Sequence, residues 1–187
     1  MNPINSFGDW ASGSIGKNAL LVGGGVALLF GMSQVAIGGP VPMTLQTLAV
    51  MLIGLTFGFR LSVATVGTYL AIGAAGAPVF AKFAGGAHHF VGGTGGFLVG
   101  FLVCAAIIGF AVDRGITKGW VGTFAALLTG ITVVFALGYA WLAHLIGPEK
   151  AWQFGVAPFI LGDAIKVVLA ALIGKGVIKG AGDLAKL

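Results

Sequence analysis

Apolar and polar positions alternate along this 187-residue chain on a much longer scale than in an amphipathic helix or strand. Apolar runs of about 16–26 residues are broken by short polar or Gly/Pro-rich stretches, and each is near the length a membrane-spanning helix needs. Six such runs can be marked, at about Asn18–Ile37, Thr44–Phe59, Leu61–Ala77, Gly95–Val112, Val121–Ile146 and Ala157–Ile178. The second and third are separated by little more than Arg60, and the third is expected to stop at Pro78, which has no N–H to continue a helix. The first run is too long for the core of a cleavable signal peptide, and no small-residue cleavage motif follows it. The pattern predicts an all-α integral membrane protein of six helices forming one transmembrane domain over residues 1–187, with short tails at about residues 1–17 and 179–187.

Composition agrees with that solvent. The mean hydropathy is +1.06 and only 8% of residues are charged, far below the quarter or so with which a soluble domain coats its surface. The 34 glycines lie within the apolar runs, where they permit close helix packing, so they do not indicate disorder. Cys104 is the only cysteine, which excludes a disulfide framework and a thiolate metal cluster.

Charge placement orients the bundle. On the N-terminal side of the membrane fall Lys17, Arg60, Arg114, Lys118, Lys175, Lys179 and Lys186, and on the other side only Lys82 and Lys150. The basic excess places both termini in the cytoplasm, and it accounts for the net charge of +5 without any nucleic-acid partner. The loops with unusual chemistry then lie outside. The first, "IGGPVPMTLQT", offers Thr44, Gln46 and Thr47. The second, "GAPVFAKFAGGAHHFVGGTGGF", carries Phe80, Lys82, Phe83, His88, His89 and Thr94. The sixth helix adds Asp163 and Lys166, expected roughly 8 Å and 12 Å below a start at Pro158. Three pieces of chain thus bring polar groups to the outer half of the bundle, where a pocket open to the outside is the simplest object they build.

Simpler readings compete. Asp163 and Lys166, at i and i+3, also suit a self-neutralising ion pair, although charges within a bilayer more often mark a site. The "GGPVPM" and "GGTGGF" stretches also read as tight turns that use glycine for positive φ. Thr94 is placed to cap the fourth helix, whose free N–H groups would favour an anion in the pocket. His88 and His89 have no acidic or cysteine partner at ligand spacing, so no metal is expected. "GGTGGF" lacks the Lys-Ser/Thr of a phosphate-binding loop, and no catalytic motif occurs, so neither a cofactor nor an enzymatic activity is expected. The first helix carries Ala19, Gly23, Ala27 and Gly31 at every fourth position, a small-residue face suited either to internal packing or to docking on another membrane protein.

The succession "GGPVPMTLQTLAVMLIG", "GAPVFAKFAGG…GGTGGFLVGF" and "PFILGDAIK", spanning about Ile37 to Ala170, resembles the BioY family, the substrate-binding S components of energy-coupling factor (ECF) biotin transporters. The resemblance implies a bacterial inner-membrane protein with a six-helix S-component bundle. It would capture biotin from outside and pair with a transmembrane T component and two cytoplasmic ATPase subunits. It also implies binding roles for Asp163 and Lys166, with Asp163 accepting from a ureido N–H, Lys166 donating to the ureido oxygen or the carboxylate, and Phe80 covering the rings. The small-residue face of the first helix corresponds to the family's contact surface for the T component. The chain departs from the family pattern at Gly93, where a proline is usual, at Lys82, where an amide or small residue is expected, and at the paired histidines. An S component for another vitamin, or a structural membrane subunit, are the competing readings.

Overall fold

The computed structural model describes residues 14–38 and 41–184, and the side chains of 14–38 and 41–180. Gly39 and Pro40 of the "GGPVP" stretch and most of the two tails lie outside the described residues. Among the described residues, five long helical elements are apolar enough to cross a membrane. They are α1 (Ile15–Gln34), α2 (Gln46–Ala74), α4 (Gly95–Asp113), α5 (Trp120–Ile146) and α7 (Ile160–Leu184). Two short helices, α3 (His88–Val91) and α6 (Pro148–Gly155), lie between them, and β1 (Ala36–Ile37) pairs antiparallel with β2 (Met43–Thr44) in a small hairpin.

The second and third runs form one element, α2, which reverses direction within itself. Gly58 adopts φ 75° and ψ 178°, outside the helical region and open to few residues other than glycine. Gln46 Nε2 lies 2.8 Å from Tyr69 Oη, 23 residues along the chain. A straight helix would separate them by about 35 Å. Residues 46–57 and 59–74 are therefore antiparallel arms, and the chain makes six legs as the hydrophobic pattern predicts. The reversal falls at Gly58, two residues before the predicted break at Arg60.

Other boundaries move for local reasons. The first helix ends at Gln34 because residues 36–37 enter the β-hairpin. The third leg stops at Ala74, and Gly76 turns the chain at φ 106° ahead of Pro78. Before the sixth leg the chain inserts α6 and a 3-10 turn at Ala157–Phe159, so α7 begins at Ile160 and Asp163 lies in its first turn. Asp163 is therefore about 4–5 Å into the helix instead of roughly 8 Å.

The arms of α2 and α4 make the centre of the bundle, with Met51, Ile53, Val66, Tyr69, Cys104 and Ile108 fully buried. Glycines at the crossings admit the neighbouring side chains. A Cβ at Gly54 would strike Ile108, and one at Gly138 of α5 would strike the Phe97 ring. Ser62 adds an interhelical bond to Ala105 O at 3.1 Å. By contrast, α7 turns Leu161, Ile165, Leu169 and Leu172 outward, as a lipid-facing helix does. Ala19, Gly23, Ala27 and Gly31 on α1 are also exposed, and a Cβ at Gly23 or Gly31 would meet nothing within 4 Å. Internal packing is thereby excluded for this face among the described residues.

Candidate functional site

At one end of the bundle the β-hairpin, the 75–94 loop and the start of α7 enclose a cavity of about 380 Å³. All seven residues expected to bind a substrate line it: Thr44, Gln46, Phe80, Lys82, Thr94, Asp163 and Lys166. Their chemical situations differ.

Asp163 and Lys166 form an ion pair at 2.8 Å, and both side chains are sunk, at 3% and 12% exposure. Lys166 Nζ also donates to Thr44 O at 2.7 Å and to the Thr47 hydroxyl at 3.1 Å, so its three N–H groups are all engaged. Asp163 Oδ1 accepts from Lys166 and from Thr47 Oγ1, the latter at 2.6 Å. Its other oxygen, Oδ2, is buried and has no hydrogen-bond partner among the described residues. An unpaired buried acceptor costs about 1–3 kcal/mol, and more for a charged group. The helix N-terminus, where Asp163 sits, favours the negative charge and offsets part of that cost.

Gln46 is committed elsewhere. Its Nε2 donates to Tyr69 Oη and its Oε1 accepts from Thr44 Oγ1 at 3.0 Å, while Tyr69 Oη donates to Val79 O at 2.7 Å. This chain of bonds ties the first loop to the second. Gln34 reinforces the tie, donating to Phe80 O at 3.1 Å and accepting from Phe83 N at 2.9 Å. These bonds hold a tight turn in which Lys82 and Phe83 adopt left-handed φ of 60° and 56°, a strained conformation for both. Lys82 Nζ reaches back to Gly38 O at 3.2 Å.

Phe80 is buried against Tyr69 and is so close to Gly73 that a Cβ there would enter its ring. Thr94 stands at the N-cap position of α4 without capping it, because its hydroxyl donates to His89 O at 3.2 Å. The glycines of "GGTGGF" likewise do not serve as a positive-φ turn. Gly95 and Gly96 let Phe90 O and the α5 backbone approach more closely than a side chain would allow.

Two features extend the expected substrate-binding set: Thr47, named from the sequence only as a polar group of the first loop, and an aromatic wall. Thr47 bridges Asp163 and Lys166, and its signal is its i, i+3 spacing from Thr44. Of the aromatic wall of Phe97, Phe101, Phe135 and Phe159, the first two stand in the "GGFLVGF" spacing, which serves equally for core packing, Phe159 stands in "PFILGDAIK", and Phe135 has no local signal. No cluster of three or more metal-ligating side chains occurs among the described residues.

The sequence and fold have known counterparts. The BioY family model matches residues 9–183. A probable biotin transporter BioY of Pyrococcus horikoshii is 38% identical over 160 residues, covering 85% of this chain and 94% of that protein. The biotin transporter BioY of Thermotoga maritima is 40% identical over 136 residues, covering 72% and 79%. Among solved structures, the S-component for biotin from an ECF-type ABC transporter superposes with a TM-score of 0.76 at 27% identity, covering 90% of this chain and 94% of that one. The chain belongs to the BioY family, as a multi-pass membrane protein with the helical bundle of an ECF S-component.

Proposed function

We propose that this protein captures biotin in the cavity between the two loops and α7, as the substrate-binding subunit of a biotin uptake system. The single observation that carries the reading is Asp163 Oδ2, a buried acceptor without a partner among the described residues, beside a cavity walled by Phe97, Phe101 and Phe159. The cavity lies within the range of about 300–1,000 Å³ typical of small-molecule sites. A ureido N–H supplies the donor that Oδ2 lacks, and the apolar thioether ring suits the aromatic wall. Lys166, with all its donors engaged, acts mainly by holding Asp163 and the first loop in position. Gln46, saturated in the same way, positions the loop, and Phe80 closes the cavity from the side of α2.

The basic excess supports an outward-facing cavity. Among the described residues Arg60, Arg114, Lys118 and Lys175 lie at the end away from it, whereas the cavity end has Lys82, Lys150 and Lys166, the last neutralised by Asp163. The exposed Ala19, Gly23, Ala27 and Gly31 face fits docking on a transmembrane T component, which would couple the chain to two ATPase subunits. Gly23→Leu should then weaken co-purification with those partners from native membranes, while leaving the folding of the isolated chain intact.

The central test is to denature detergent-purified protein, identify the released small molecule by mass spectrometry, and titrate the ligand-free protein with biotin, thiamin and riboflavin. Stoichiometric release and selective binding of biotin are expected. Another vitamin in its place would reassign the substrate, and no ligand after growth on abundant biotin would favour a structural subunit.

A further inference from the structure

The rim of the cavity carries a cluster that the assignments above leave unused. His88 and His89 of α3 both line the cavity, their ring centroids 4.2 Å apart and tilted by 39°. His89 is fixed edge-on against Phe80, with centroids 5.6 Å apart, and its carbonyl accepts from Thr94. His88 and Lys82 are exposed, which places them where a ligand enters.

Charge at the rim is lopsided. The other ionisable groups lining the cavity are Lys82, Asp163 and Lys166, and the last two neutralise each other. Behind Phe80, α2 contributes Tyr69, whose hydroxyl is engaged with Gln46 and Val79. The only charged residue of α4, Asp113, lies at the far end of the bundle, and His144 of α5 rests on Trp141 outside the cavity lining. Among the described residues the only carboxylate lining the cavity is Asp163, which is paired with Lys166; Glu149 of α6 is at the same end of the bundle but outside the lining. A ligand that fills the cavity with an N–H donor on Asp163 therefore presents its opposite end to three nitrogen-bearing side chains.

We propose that His88 and His89 form a proton-linked carboxylate subsite at the cavity mouth, which takes the acid end of the substrate and makes capture tighten as pH falls. The inference rests on the biotin reading, since biotin carries its carboxylate on a flexible tail opposite the ureido ring. The two rings are too close to accept two protons cheaply, so a bound carboxylate draws a proton from solvent onto His89, the ring fixed against Phe80.

The sign follows from linkage. Burial, and then the neighbouring charge of His88, holds His89 below the usual histidine value of 6.5 in the free protein. A bound carboxylate favours the protonated form and raises the pKa of His89. The gain in affinity is therefore complete below the free-state pKa and is lost as pH rises through the bound-state value. Each unit of separation between the two corresponds to about tenfold in affinity.

The test is calorimetric titration of the purified wild-type chain with biotin and with biotin primary amide, at about pH 5.5 and about pH 8, where histidine titration is the main variable. Each titration is run in two buffers of different ionisation enthalpy. Biotin should bind about five- to tenfold more tightly at the lower pH with net proton uptake near neutrality, and the amide should show neither effect. His88→Gln/His89→Gln should abolish the proton uptake. If that variant does not fold, the wild-type comparison of acid with amide decides alone. Equal pH dependence for acid and amide, or proton uptake that survives in the folded variant, overturns the subsite but leaves the biotin reading standing. Failure of wild-type protein to bind either compound at any pH overturns both.

Discussion

The two ends of the bundle use similar residues to different effect. Away from the cavity, Asp113 Oδ2 accepts from Phe59 N at 3.2 Å, closing the start of the second arm of α2 just past the Gly58 reversal. Nearby, Lys175 Nζ donates to Thr117 O at 2.6 Å and to Lys118 O at 2.7 Å, bracing the connection between α4 and α5. These charges have found their partners in the backbone, Asp113 in an exposed position and Lys175 in a partly buried one. At the cavity end a carboxylate again sits at a helix start and a lysine again grips a carbonyl, but Asp163 is buried and one of its oxygens has no partner among the described residues. A charge at a helix end is ordinary stabilisation. A buried acceptor left unpaired among the described residues, beside a largely apolar cavity, carries a cost that a bound donor would remove.

Breaking each end separately sharpens the contrast. Asp163→Ala should have the largest effect. It removes the open acceptor and strands Lys166, and biotin affinity should fall by several hundredfold or more, in line with about 3–5 kcal/mol for breaking a buried pair. Lys166→Met should cost less, about 2–3 kcal/mol of binding, because the carboxyl group remains but loses its charged partner and its link to the first loop. Gly73→Ala pushes a methyl group into the Phe80 ring, and the shifted wall should weaken binding about tenfold, within the 1–3 kcal/mol usual for overpacking. Asp113→Ala should lower thermal stability by about 0.5–1 kcal/mol, as the loss of a helix cap does, without altering biotin affinity. Equilibrium titration and thermal unfolding in detergent separate the two classes. A large loss of binding from Asp113→Ala would erase the distinction between the ends.

Much of this was legible in the sequence because a bilayer imposes long apolar runs. The six legs, and the start of α4 at Gly95, follow from that pattern alone. The Gly58 reversal was not, since one glycine among 34 does not announce a left-handed φ and the adjacent Arg60 offered a more obvious break. α6 was missed because eight residues are too few to register against the apolar runs flanking them, although Pro148 and Glu149 make a recognisable helix start. At the site, Asp163 and Lys166 stood out as charges in an apolar run. The engagement of all the Lys166 donors, the saturation of Gln46 and the diversion of Thr94 from capping to His89 depend on three-dimensional partners that no local spacing reveals.

The central claim is that Asp163 Oδ2 receives a donor from the ureido ring, and a coupling measurement tests it most directly. Binding of biotin and of an N-methylated biotin lacking one ureido N–H would be measured for the wild-type protein and for Asp163→Asn, completing a double cycle between side chain and ligand. The account predicts strong coupling, with methylation of the contacting nitrogen costing the wild-type protein at least about 1.5–3 kcal/mol and the variant far less. Additive losses for each of the two singly methylated isomers would contradict it.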